Sequence, residues 1–376
     1  MTVRPTKWTL TQGYRMHLFR MGAIALGVTM AGASTLVAAE ASDQSNATST
    51  CTAGTWSEES ANVLPVMQNG YLFAVSVASA HEAWAVGYYF TGSSFGSLIE
   101  EWKGAGWSVV GTGVPNAQLD AVATFGTDHA VAVGNIYENN ATVDHAFISQ
   151  WNGTTWSRTV LPLPVKAVSA SLDLVSGSSA SDIWAAGEYM IGKAQHVLLE
   201  HYNGSAWTKV SLPANAQPLG VPTGLLDLAP NDVWAAGVTA SSTPRMWHDN
   251  GTAWSLQSPA PPSEGTLTGS SDSDLWLTGF DSLEHGNGHA WNQILNNGEL
   301  NLYQSAEGAK GSTSLWTVGW TGDSPPQTYI AENGTRVKTP AVHGFLQGIG
   351  TGFGLAFAVG YPNTTPAQPI VLASCD

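Results

Sequence analysis

Residues 179–187 read Ser179-Ala180-Ser181-Asp182-Ile183-Trp184-Ala185-Ala186-Gly187, and the closing five, IWAAG, return in variant form along the chain. The other copies are AWAVG at 83–87, AVAVG at 130–134, VWAAG at 233–237, LWLTG at 275–279, LWTVG at 315–319 and AFAVG at 356–360. Seven copies are too many for chance. Their final glycines are separated by 47, 53, 50, 42, 40 and 41 residues, close to the period of propeller blades. A second motif follows most copies, as Trp102-KGAG-Trp107, Trp151-NGTT-Trp156, Tyr202-NGSA-Trp207 and Trp247-HDNGTA-Trp254, and it decays to Asn297-Gly298 and Asn333-Gly334 in the fifth and sixth units.

The third unit parses as four strands: Leu172–Ser176, Ile183–Tyr189, His196–Tyr202 and Trp207–Val210. Asn-Gly pairs predict tight type I′ hairpins, because both residues tolerate positive φ. Each unit is thus a meander of four antiparallel strands that cannot bury both faces alone, and seven such units close into a ring. The predicted fold is all-β, a seven-bladed β-propeller of four-stranded antiparallel blades. The seventh unit ends near Cys375 with three strands, and Thr55-Trp56-Ser57 matches Thr155-Trp156-Ser157, so the N-terminal strand is expected to complete the last blade.

Composition agrees with many short strands joined by turns: 376 residues, 11% charged, with 41 Gly and 16 Trp. Four basic residues, Arg4, Lys7, Arg15 and Arg20, precede an apolar run from Met21 to Ala39 that closes in small residues. That layout predicts a secretory signal peptide over 1–41, followed by a polar linker over 42–50 and the propeller over 51–376. The retained-anchor alternative stays open, and after cleavage no stretch is long enough to span a bilayer. Cleavage after Ala41 leaves 9 basic against 27 acidic residues, a surface that repels phosphate backbones and argues against a nucleic-acid partner. In an exported protein the two cysteines, Cys51 and Cys375, read as one disulfide joining the termini. It would close a 325-residue loop, for which chain entropy gives roughly 5–6 kcal/mol.

The form S-x-x-D-I/V-W-A-A-G, together with W-N-G-x-x-W, resembles the repeats of secreted bacterial β-propellers, loosely grouped with Kelch and Asp-box propellers. The resemblance covers about 51–375 and implies fold and export. The Kelch glycine pair and the Asp-box S-x-D-x-G-x-x-W do not recur here, so it implies no activity.

In such a ring the turns between first and second, and between third and fourth, strands lie on one face, and here they are short. The opposite face carries the longer segments, including 88–97, 135–145, 188–195 and 280–288, and binding residues belong on such loops. Tyr88, Tyr89, Tyr137, Tyr189, Phe280, Trp320 and Tyr361 follow the repeat glycines there, beside Glu138, Asp144, Glu188, Asp281, Glu284 and Asp323. Rings beside carboxylates suit sugar recognition, and the alternative is that the rings complete the core between blades. Trp84, Trp184, Trp234, Trp276 and Trp316 are expected core residues.

Chemical motifs are sparse. Gly92-Ser93-Ser94-Phe95-Gly96 fits G-x-S-x-G but lacks the strand-to-helix turn of a nucleophile elbow. His285 and His289 are separated by a Gly-Asn-Gly that disfavours the helix a metal pair needs. Asp182, Asp232 and the Asp272/Asp274 pair are expected to bond backbone amides in turns. Arg158, Arg245 and Arg336 do not form the arginine triad of a sialidase-like site. The expectation is therefore a secreted, monomeric, non-catalytic module without cofactor or metal. It would recognise an extracellular glycan or protein through Tyr88, Tyr89, Tyr137, Glu138, Glu188, Tyr189, Phe280, Asp281, Trp320 and Tyr361. A glycan-active hydrolase or lyase using loop-face carboxylates is the competing expectation.

Overall fold

The computed structural model describes residues 55–59, 69–92, 95–110, 113–138, 143–212, 220–239, 241–296, 300–307 and 314–375. They form seven four-stranded antiparallel sheets, and no helix among them is long and apolar enough to cross a membrane. Blade 1 comprises Asn69–Ser79, Glu82–Phe90, Phe95–Trp102 and Trp107–Val109; blade 2, Ala117–Thr124, Ala130–Glu138, Val143–Trp151 and Trp156–Val160. Blade 3 comprises Ser169–Ser179, Asp182–Ile191, Ala194–Tyr202 and Trp207–Lys209; blade 4, Val221–Ala229, Asp232–Val238, Pro244–Asp249 and Trp254–Leu256. Blade 5 comprises Thr266–Ser271, Asp274–Thr278, Ser282–Gly286 and Trp291–Asn296; blade 6, Leu300–Glu307, Leu315–Thr321, Thr328–Glu332 and Thr335–Arg336. Blade 7 takes Gly344–Gly352, Leu355–Pro362 and Ile370–Cys375 from the C-terminal end, and Ser57–Glu59 as its outer strand.

That outer strand closes the ring as the repeat predicts. Ser57, Glu58 and Glu59 pair with Ala373, Leu372 and Val371. The preceding Trp56 is buried and meets Trp316 of blade 6 edge to face at 5.4 Å. Cys375 ends the third strand of blade 7, whereas Cys51 lies outside the described residues. The first strand of each blade packs on the first strand of the next, all the way round, which makes these strands the innermost.

The repeat glycine has a steric cause. In six blades the innermost strand carries a one-residue bulge opposite it, as between Leu172 and Leu174. The bulge tilts the preceding carbonyl towards the second strand. A Cβ on Gly187 would stand 2.1 Å from the Ser171 carbonyl oxygen, and one on Gly134 would stand 2.0 Å from that of Gln118. The residues before the glycine alternate between the two blade faces, so each blade feeds two interfaces. Seven apolar clusters result among the described residues, one per interface: Trp184, Ala186 and Leu199 of blade 3, for example, pack on Leu225, Val233 and Trp247 of blade 4. Trp84, Trp184, Trp234 and Trp316 are buried as expected, and Trp276 is half-buried.

The hairpin chemistry differs from expectation in two ways. Among the described Asn-Gly pairs, only Asn333-Gly334 has positive φ at both residues, 50° and 78°. At Asn203-Gly204 only the glycine does (86°), and the Asn203 side-chain oxygen accepts from the Ser205 and Ala206 amides. The asparagine serves there as a cap, and Asn152 and Asn250 do the same. In blade 5 the hairpin is Asn287-Gly288, with Asn287 capping His289 and Ala290, and not Asn297-Gly298, which lies outside the described residues. The stretch 280–288 is therefore mostly the third strand and its turn, not a variable loop. Likewise 188–195 is largely strand, turning tightly at Gly192-Lys193.

Candidate functional site

The residue after each repeat glycine stands at the end of the second strand on the loop-bearing face. In blades 6, 7 and 1 these residues are Trp320, Tyr361 and Tyr88, paired across to Asn301, Phe345 and Tyr71 of the innermost strands. The side chains meet from blade to blade. Trp320 contacts Phe345 edge to face at 5.3 Å, and Phe345 lies 5.3 Å from Tyr361. Tyr361 contacts Tyr71 at 5.2 Å, and Tyr71 stacks on Tyr88 at 4.7 Å and 12°. Phe73, in the bulge of blade 1, touches both Tyr88 and Tyr361, and Tyr88 continues through Phe95 to Tyr137 of blade 2. Eight rings thus form one unbroken arc over four consecutive blades, and every one is only partly buried.

Burial shapes the chemistry of this arc. Desolvation raises Tyr71, and with neighbouring phenols adding to it holds the Tyr88 hydroxyl well above the usual tyrosine range and pushes Tyr361 up to about 12. The phenols stay protonated across the physiological range and can both donate and accept hydrogen bonds. The arc therefore offers half-buried rings carrying neutral phenols.

The other expected site residues are dispersed. Tyr89 folds back on its own blade, where a Cβ on Gly96 would lie 2.9 Å from its hydroxyl. Tyr189 stacks on His196 at 5.1 Å under the Lys209 ammonium. Glu188 is buried and accepts from Gln195 Nε2 at 3.1 Å. Phe280 and Asp281 are exposed on the short turn of blade 5, and Glu284 beyond them is buried rather than on the loop face. Glu138 ends its strand, with its side chain outside the described residues, as are Ser93 and Ser94 of G-x-S-x-G. Arg158, Arg245 and Arg336 fall in blades 2, 4 and 6. Sequence reading missed Tyr71, Phe73, Phe95 and Phe345. Tyr71 and Phe345 were recoverable, because they sit where an innermost strand faces the residue after a repeat glycine, whereas Phe73 occupies a bulge that only the structure reveals.

The opposite, tight-turn face holds a second recurring constellation. In blades 3, 4 and 5 the second strand begins with Asp-x-Trp, and the third ends with His followed two residues later by Asn-Gly. His201, His248 and His285 each place Nε2 2.7–2.9 Å from the carboxylate of Asp182, Asp232 and Asp274. Their rings stack on Trp184, Trp234 and Trp276 at 4.1–4.3 Å. Trp234 and Trp276 also donate Nε1–H to the same aspartates. These aspartates therefore bind side chains across the blade, not the backbone amides of turns; serine does that work, as where Ser179 Oγ accepts from the Ser181 amide. His285 belongs to this triad and is not paired with His289.

No family model matches the sequence, and no curated protein sequence matches it either. Among solved structures the chain is similar to YCF48 bound to D1 peptide, with 14% identity and a TM-score of 0.55 over 86% of this chain and 100% of that one. It is also similar to YCF48 from Cyanidioschyzon merolae (13%, 0.54, 85% and 99%) and to the WD40 β-propeller domain of Doa1 (10%, 0.55, 87% and 98%). The chain is a β-propeller. At these identities the likeness concerns fold alone.

Proposed function

We propose that this propeller is an extracellular interaction module that receives a segment of a protein partner on its aromatic arc. The observation that carries the reading is the continuity of the arc from Trp320 to Tyr137, half-buried rings shared between four blades. Tyrosine and tryptophan supply large contact area at small entropic cost and dominate binding hot spots. Protein is favoured over glycan because ring faces such as those of Tyr71 and Tyr88 cover each other. Covered faces leave little for a sugar ring to stack on, whereas partly exposed rings suit the apolar side chains of a peptide. A propeller of similar fold has been captured with a bound peptide, which supports a peptide segment as the partner. Export rests on the signal-like segment 1–41, and the Cys51–Cys375 bridge would lock the ring outside the cell.

The test displays a random peptide library and a glycan array to the purified protein. Peptide selection by the parent chain, weakened tenfold or more by Tyr88→Ala or Trp320→Ala and unchanged by Lys209→Ala, is the expected result. Glycan binding with the same mutational pattern would replace the protein partner, and cleavage of a bound glycan would replace the module by an enzyme. Sequencing the N-terminus of the exported chain checks cleavage after Ala41.

A further inference from the structure

The triads of blades 3 and 5 are completed in the same way. A serine four residues upstream donates to the second oxygen of each aspartate, Ser178 to Asp182 at 2.5 Å and Ser270 to Asp274 at 2.6 Å. In blade 4 that position is Leu228, which has no donor. The turn of blade 5 supplies Asp272 instead, and Trp234 Nε1–H is shared between Asp232 at 2.9 Å and Asp272 at 3.3 Å. Asp227 also comes up to Asp182 in blade 3, but among the described residues only at blade 4 do two carboxylates converge with the histidine.

One ligand atom each from Asp232, His248 and Asp272 lies within 4.8 Å of the others. We propose that these three side chains form a divalent-metal site of the zinc class that bridges blades 4 and 5. An imidazole nitrogen and two carboxylate oxygens suit zinc and its transition-metal neighbours, whereas calcium prefers six or more oxygens. Zinc bonds of about 2.0–2.2 Å imply ligand separations near 3.3 Å. His248 Nε2 and Asp232 already stand 2.9 Å apart, and Asp272, on an exposed turn, has room to close the remainder.

The surroundings are those a metal site uses. The His248 ring is held flat against Trp234, 4.1 Å between centroids at 17°, so its orientation is fixed before an ion arrives. The Trp234 N–H is an outer donor to the carboxylates, and such partners orient ligands and strengthen binding. Exposure of Asp272 leaves the fourth position to water. With ligands from two blades, the ion acts as a clamp: it binds the closed ring and not the unfolded chain, so stability rises with its concentration. This site lies on the face opposite the aromatic arc and is independent of the proposed partner surface.

The experiment uses the tag-free full chain, stripped with chelator and titrated with Zn²⁺ by calorimetry and with Co²⁺ by its visible absorption, beside thermal melts. The expected result is one equivalent bound, a Tm raised by several degrees, and at least a hundredfold weaker binding in Asp272→Asn and His248→Gln. His201→Gln, which breaks the equivalent triad in blade 3, should leave binding intact. If His248→Gln does not fold, Asp272→Asn carries the test, since its side chain is exposed. Failure to bind at 100-fold excess of Zn²⁺, or binding unchanged by Asp272→Asn, would overturn the proposal, as would loss of binding in His201→Gln.

Discussion

Single residues in this ring are constrained by contact distances that a composition count does not reveal. Gly187 faces the Ser171 carbonyl so closely that any side chain must push the bulge out of the innermost strand. Gly187→Ala is expected to destabilise by about 2–4 kcal/mol, whereas Gly106→Ala, with open space around it, should be near neutral. Chemical denaturation of the pair decides this, and equal midpoints would contradict the steric account. Glu100 is constrained differently. It is fully buried on the third strand of blade 1 with neither carboxylate oxygen hydrogen-bonded, and burial pushes it up to about 8. Below about pH 4.5 it is neutral in folded and unfolded chains alike. Between there and pH 8 only the unfolded chain ionises, so stability falls as pH rises, by at most about 1.4 kcal/mol per unit. Glu100→Gln should flatten that slope, and an unchanged pH profile of Tm would show that the carboxyl is not protonated in the fold.

At the scale of elements, the strands were legible because their periods and turn residues are local. The apolar pentapeptide, the following Asn-Gly and the spacing of the glycines mark where chain direction reverses, and the ends of the observed strands of blade 3 lie within three residues of the expected ones. Blade 5 was misread because its third strand, Ser282–Gly286, looks polar, while its hairpin, Asn287-Gly288-His289-Ala290-Trp291, repeats N-G-x-x-W with unchanged spacing. The aspartate–histidine–tryptophan triad was also written there, as D-x-W and H-x-N-G, but pairing the two requires knowing that second and third strands are in register. The closing strand yields a prediction at this scale. Trp56→Ala removes the ring that Ser57–Glu59 inserts against Trp316 and should cost about 3–5 kcal/mol. Intrinsic fluorescence unfolding measures it, and a loss below about 1 kcal/mol would mean that the outer strand contributes little to closure.

The whole molecule distributes its chemistry unevenly around a symmetric ring. Aromatic side chains gather on the loop-bearing face of blades 6, 7, 1 and 2, and the histidine triads gather on the opposite face of blades 3, 4 and 5. Glu200 and Asp227, both pushed up to about 7 by burial, add to Glu100 in the same direction. The intact protein is therefore expected to melt several degrees higher at pH 5 than at pH 8, and calorimetry across that range tests it. A Tm that rises with pH would contradict the sign. For the proposed Cys51–Cys375 bridge, Cys375→Ser should lower the Tm under oxidising conditions and abolish the difference between oxidised and reduced samples, and an unchanged Tm would contradict the bridge.

The sequence by itself determined the number of blades, their antiparallel order and the closure by an N-terminal strand. The strands and their order follow from turn chemistry acting between residues a few positions apart, and the blade number and closure follow from counting a repeat whose last copy is divided between the two ends of the chain. Only the tertiary structure decided which rings touch and which carboxylates meet. Tyr71 joins Tyr361, and Asp272 joins Asp232, across interfaces between blades, where approach is set by the stacking of sheets and not by any pattern along the chain.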